Sequence, residues 1–333
     1  MAVTTVKNTI HFGRRLRRTD LAWGAALAVV AGLGLLGVPR ASLAADDQAA
    51  APTYSEKGAD TCLVCHSDAK VAGIFKTKHG APGNADAPFG HGQLQCESCH
   101  GPGATHASMT LTDGKLAQVI RFAPDSAASV ETRNGMCLGC HESSTRHLWA
   151  ASGHASAGVS CADCHKAHDP ADKVLRTGTQ SEVCFDCHKT QKANSLKPYA
   201  HPIRQGEMAC SSCHQPHGST TRAALKGATV NETCYSCHPD LRGPFVWEHA
   251  PVSEDCTLCH DQHGSIHPAM LKQRPPFLCQ TCHSASGHPS VAYGPSGLPD
   301  GSAPSPAVVA GSCTNCHAQI HGSNHPSGRS LTR

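Results

Sequence analysis

Residues 210–217 read Cys-Ser-Ser-Cys-His-Gln-Pro-His, and the first five of them decide what kind of fold the chain can have. Two cysteines three positions apart with an adjacent histidine form the attachment signature of c-type haem. The thiols add to the two vinyl groups on one porphyrin edge, and the histidine is carried beneath the ring to become an axial ligand of the iron. The same pentapeptide occurs ten times and consumes all 20 cysteines of the 333-residue chain. The ten cysteine pairs are Cys62/Cys65, Cys96/Cys99, Cys137/Cys140, Cys161/Cys164, Cys184/Cys187, Cys210/Cys213, Cys234/Cys237, Cys256/Cys259, Cys279/Cys282 and Cys313/Cys316. The matching proximal histidines are His66, His100, His141, His165, His188, His214, His238, His260, His283 and His317. Zinc ribbons would pair such cysteines without a fixed histidine, and a disulfide framework would space them irregularly. Ten covalently bound haems c are therefore expected.

The N-terminus predicts where attachment happens. Lys7, Arg14, Arg15, Arg17 and Arg18 precede an uncharged apolar run, Leu21 to Val38, and Ser42-Leu43-Ala44 offers small residues for cleavage. A Sec-type signal peptide over residues 1–44 is expected, with a retained membrane anchor as the rival. Export precedes haem attachment to reduced thiols outside the cytoplasm, which places the protein in the periplasm.

Beyond residue 44 the chain is short of ordinary core material. Of the 14 aromatic residues, two (Phe12 and Trp23) lie in the signal, leaving 12 for 289 residues. The whole chain has 31 glycines and 22 prolines, all but six of them beyond residue 44, which argues against long helices or sheets. The fold class expected is a multihaem cytochrome c: mostly irregular chain with short α-helices, an elongated wire of five di-haem repeats whose cofactors form the core. The signal holds six of the 28 basic and one of the 25 acidic residues, so the exported chain has 22 against 24, a net charge of −2. Haem propionates add negative charge, and nucleic acid is excluded as a partner.

From Cys137 to Cys279 the motifs start 22 to 26 residues apart, but their surroundings alternate at twice that period. Even-numbered motifs have a second histidine close behind: His106, His168, His217, His263 and His321. Odd-numbered motifs have one farther downstream: His79, His154, His201, His249 and His288. The modules span 62–106, 137–168, 184–217, 234–263 and 279–321, preceded by an N-terminal segment 45–61, with a linker at 107–136 and a tail at 322–333. Those ten extra histidines supply one distal iron ligand per haem. Methionine competes poorly, with only Met109, Met136, Met208 and Met270 after the signal. Bis-histidine ligation predicts low potentials and no open catalytic position. His91, His147, His267 and His325 stay unassigned, and His91, His147 and His325 stay open as alternatives.

His168, His217 and His263 each follow their proximal histidine by three residues. On a helix, positions i and i+3 share a face, whereas two axial ligands approach one iron from opposite sides. These histidines are expected to ligate a neighbouring haem and to staple adjacent porphyrins together.

The chain resembles the MtrA/DmsE/PioA-type decahaem cytochromes of outer-membrane electron conduits. The resemblance covers essentially everything after the signal. It rests on the ten motifs, on Cys96-Glu-Ser-Cys-His-Gly-Pro-Gly103 with His106, on Trp149 to His154, and on the ending Ile320-His-Gly-Ser-Asn-His-Pro-Ser-Gly328. It implies a periplasm-facing haem wire inserted into an outer-membrane β-barrel porin. The implied exchange partners are an extracellular multihaem cytochrome or oxidant on one side and a periplasmic or inner-membrane cytochrome on the other. Two other classes are compatible with the motifs: a soluble periplasmic shuttle or electron-delivery subunit of a terminal reductase such as a dimethyl sulfoxide reductase, and a multihaem enzyme. The enzyme class calls for an iron without a distal ligand, and no motif signals one.

Overall fold

A computed structural model describes residues 53–283 and 313–332. The signal 1–44, residues 45–52 of the segment 45–61, and residues 284–312, with His288, lie outside the described residues.

Each motif folds as a single helical turn. The backbone N–H of the motif histidine donates to the carbonyl of the first motif cysteine, for example His66 to Cys62 at 3.0 Å, His165 to Cys161 at 2.9 Å and His317 to Cys313 at 2.9 Å. One such turn sets the two cysteines on one face and projects the histidine beyond them. Odd motifs sit at or across the C-terminal ends of short helices: Ala59–Leu63, Val130–His141, Thr177–Cys184, Val230–Tyr235 and Phe277–Gln280. Even motifs open their own turn at Glu97–His100, Cys161–Cys164, Cys210–Ser212, Cys256–Leu258 and Cys313–Asn315.

Local chemistry starts and stops these helices. Ser129 Oγ accepts the amide of Thr132 at 3.1 Å and Thr229 Oγ1 that of Glu232 at 3.1 Å, each an N-cap that satisfies an orphan donor. At Ser160, buried to 1% exposure, the backbone N–H donates to the Asp163 carboxylate at 2.7 Å in a reciprocal capping box. The longest described helix, Val130–His141, has 12 residues. The sole strand pairing within a sheet among the described residues is Leu111–Thr112 with Lys115–Leu116.

Long-range order comes from amide side chains and small residues. Asn134 donates to the Val159 carbonyl at 3.2 Å and accepts the Cys161 amide at 2.8 Å. Asn231 repeats the device on Val252 and Cys256, both at 2.8 Å. In the third module Gln180 donates to the Val174 carbonyl and accepts the Ser211 amide, each at 2.8 Å. Each locks the helix carrying an odd motif onto the following even motif. The buried apolar side chains among the described residues are Ala59, Ile74, Ala87, Trp149 and Ala209, fewer than the buried polar ones. So little apolar burial cannot stabilise a chain of this size, and the interior is instead a continuous cavity of about 4390 Å³.

The haem-binding cavity and its histidine pairs

All motif cysteines except Cys316 line that cavity, together with every proximal histidine and the distal candidates His79, His106, His154, His168, His201, His217, His249, His263 and His321. His91, His147, His267 and His325 do not line it. Among the described residues no three His, Cys, Asp or Glu side chains converge as a metal cluster. The imidazoles meet in twos.

Nine pairs of rings face each other among the described residues. His66 lies opposite His106 at 6.3 Å between ring centres, His100 opposite His168 at 6.2 Å, and His141 opposite His79 at 5.8 Å. His165 faces His217 at 6.1 Å, His188 faces His154 at 6.1 Å, and His214 faces His263 at 6.1 Å. His238 faces His201 at 6.5 Å, His260 faces His321 at 6.2 Å, and His283 faces His249 at 6.1 Å. An imidazole nitrogen bonds a first-row metal at about 2.0–2.1 Å and its ring centre lies about 1.1 Å farther back, so two rings on one ion stand about 6.3 Å apart. The observed separations fit an iron between each pair. The tenth motif contributes His317, and His288, the remaining distal candidate, lies outside the described residues.

Every pair joins one motif histidine to one non-motif histidine, and the pairing crosses modules in both directions. His79, His154, His201 and His249 reach forward to the odd motif of the next module, while His168, His217, His263 and His321 reach back to the even motif of the preceding one. His106 stays within its own module, opposite His66. The helical premise for the three-residue offset needs correction. At His165 the chain has already left the helix with φ −92° and ψ 139°, and it then turns through His168. Extended backbone, rather than a shared helix face, sends the two imidazoles to different pairs.

Hydrogen bonds fix the rings. Among distal candidates, Nδ1 of His106 donates to the Ala117 carbonyl at 2.8 Å, His154 to Pro216 at 3.0 Å, His201 to Gln262 at 3.0 Å and His249 to Ile320 at 3.1 Å. Among even-motif histidines, His100 donates to Ile120 at 2.7 Å, His214 to Ala223 at 2.8 Å, His260 to Ala269 at 2.7 Å and His317 to Ser330 at 2.6 Å. With Nδ1 protonated by this contact, Nε2 keeps the lone pair a metal needs. Burial, followed by the facing histidine, holds His168, His217, His263 and His321 below the ordinary imidazole pKa, which favours the same neutral form.

Glycine matters at the residue after three of these imidazoles. Gly218, Gly264 and Gly322 have φ of +115°, +128° and +131°, and a Cβ there would strike Leu148 backbone, Asn194 backbone and the Phe245 ring. Two antiparallel bridges flank the same places, Tyr199 with Ser265 and Trp247 with Ser323. The His-Gly step thus brings one strand-like segment close enough for its histidine to bond the carbonyl preceding the other's.

The sulfurs repeat the modular order. The free thiols stand for the thioether sulfurs of the haem-loaded chain. The first cysteines of the two motifs in a module neighbour one another, Cys62 with Cys96, Cys137 with Cys161, Cys184 with Cys210, Cys234 with Cys256 and Cys279 with Cys313. Second cysteines interact between modules, Cys99 with Cys140, Cys164 with Cys187, Cys213 with Cys237 and Cys259 with Cys282.

Sequence reading overlooked Asn134, Asn231 and Gln180, although Asn-x-x-Cys-x-x-Cys-His at Asn134 and at Asn231 is a visible repeat. It also overlooked Asp172, whose Oδ2 lies 3.1 Å from Nδ1 of His165.

Known proteins carry the same signals. The doubled CXXCH motif family matches residues 201–243 and 249–288, and the NrfB-like cytochrome c-type protein family matches residues 96–180. The multiheme cytochrome MtrA of Shewanella baltica (strain OS185) is 47% identical over 290 residues, covering 86% of this chain and 85% of that protein. Identity over that span, joined to Cys-x-x-Cys-His turns that open onto one cavity, leaves a single conclusion: the chain belongs to the MtrA-type multihaem cytochromes, which hold haem c covalently and transfer electrons.

Proposed function

We propose that the chain carries ten haems in one file and passes electrons across the periplasm and outer membrane from within a β-barrel porin. The haems supply one-electron chemistry; the polypeptide holds them in order and fixes their axial ligands. His66, His100, His141, His165, His188, His214, His238, His260, His283 and His317 serve as proximal ligands. His106, His168, His79, His217, His154, His263, His201, His321, His249 and His288 serve, in the same order, as distal ones. The observation that carries this reading is the set of nine imidazole pairs, each spaced for one iron and ordered along one cavity. Two protein ligands on each iron leave no open position, which supports an electron-transfer role over an enzymatic one.

The location is the periplasmic side of the outer membrane, reached through the signal 1–44. No helix among the described residues is long and apolar enough to cross a membrane. Irregular backbone inside a bilayer needs protein around it to satisfy its polar groups, which is what a porin wall supplies. An extracellular multihaem cytochrome or oxidant at one end, and a periplasmic or inner-membrane cytochrome at the other, complete the path. Affinity purification of the tagged chain from detergent-solubilised outer membranes tests this. A stoichiometric porin is the expected companion, and recovery of the chain solely from the periplasmic fraction, free of any porin, favours the shuttle or reductase-subunit reading instead.

A further inference from the structure

His165 departs from the pattern of its repeat. In the even motifs, His100, His214, His260 and His317 donate Nδ1–H to backbone carbonyls, which are neutral acceptors. His165 donates to the Oδ2 of Asp172 at 3.1 Å. The loop behind it explains the exchange. Ala223 and Ala269 both stand nine residues past their motif histidines, with φ of 56° and 55°, and offer their carbonyls. After His165 the chain is shorter by one residue before the matching leucine, Leu175, and Asp172 at the seventh position takes the contact. Asp172 is 9% exposed, lines the cavity, and its Oδ1 is buried without a hydrogen-bond donor among the described residues. A buried carboxylate with one oxygen unsatisfied costs stability, so packing does not account for it.

We infer that Asp172 is a positioning residue that makes the haem of Cys161, Cys164 and His165 the lowest-potential member of the series. A carboxylate accepting from the far nitrogen increases the basicity of the imidazole. A more basic ligand, and a negative charge beside it, both stabilise the oxidised iron over the reduced one. The two effects have the same sign. Arg146, which acts on His217 across the pair, has the opposite one. The inference rests on His165 and His217 as axial ligands, and the experiment separates the two claims.

Purified haem-loaded protein is titrated potentiometrically, with optical and low-temperature EPR detection, as wild type, Asp172→Asn, Asp172→Glu and His217→Met. In Asp172→Asn about one tenth of the absorbance change should leave the low-potential end of the curve, with that haem at least tenfold easier to reduce, or 59 mV for one electron. Its EPR signal should change while the others stay. Asp172→Glu should restore most of the wild-type curve. In His217→Met the same lowest tenth should disappear, which assigns it even if Asp172→Asn loses haem. A ten-haem, low-spin wild type whose curve superimposes on that of Asp172→Asn overturns the role of Asp172 alone. A lowest tenth that moves in Asp172→Asn but persists in His217→Met overturns His217 as the ligand of that haem, and one unmoved in both overturns the whole inference. A high-spin iron in the wild type overturns this role and the axial assignment together.

Discussion

The carbonyl oxygen of Pro216 accepts the Nδ1 proton of His154 across 62 residues of sequence. Pro216 precedes His217, so one hydrogen bond couples the distal histidine proposed for the fifth haem to that proposed for the fourth. His201 with Gln262, before His263, and His249 with Ile320, before His321, repeat it. On that assignment, the backbone beside one proposed ligand orients the proposed ligand of the neighbouring haem. Such coupling would hold neighbouring redox centres in a fixed order, which an electron wire needs.

If every motif is occupied and the signal is cut after Ala44, intact mass spectrometry of the exported protein gives residues 45–333 plus ten haems. A retained N-terminus or a lower haem number is the contrary outcome.

Bis-histidine ligation at each iron predicts a wholly low-spin spectrum. The ring planes fall into near-parallel pairs, such as His214 and His263 at 14°, and steep ones, such as His141 and His79 at 88°. Low-temperature EPR should accordingly contain rhombic signals from the first kind and large-g signals from the second. A methionine-to-iron charge-transfer band would contradict the assignment.

Cross-module pairing predicts where a ligand exchange is felt. His263→Met should raise the potential of the haem on Cys210 and Cys213, and not that on Cys256 and Cys259 which its own motif holds. Peptide mapping of the haem that acquires methionine ligation distinguishes the two.

Much of this was legible in the sequence, for a physical reason. Covalent attachment needs five contiguous residues, so the motifs state their own chemistry, and the doubled period picks out histidines such as His201 and His249 by their place in a module. The pairing was not legible, because His217 and His165 meet through turns and bridges that no local pattern encodes. The amide locks escaped for a related cause: Asn134 reads as a surface residue until Val159 and Cys161 are folded onto it.

Asn134→Leu and Asn231→Leu should each destabilise the protein by about 1–3 kcal/mol, the cost of leaving a buried amide and carbonyl unpaired. Thermal unfolding followed by haem absorbance checks this. Gly264→Ala should be harmful too, since its backbone conformation disfavours a side chain and Asn194 blocks the space. An unchanged midpoint for all three would mean that these residues do not hold the modules together.

The central claim is a serial path through a porin, and flux across a membrane tests it most directly. Proteoliposomes containing the chain and its porin are given an external reductant and an enclosed acceptor. The pair should reduce the acceptor while either component alone does not. Cys187→Ala, which breaks one attachment in mid-chain, should slow transfer by far more than tenfold, the factor that about 1.4 kcal/mol of barrier would give. Transfer that proceeds without the porin, or that is undiminished by Cys187→Ala, would contradict the serial, porin-sheathed path.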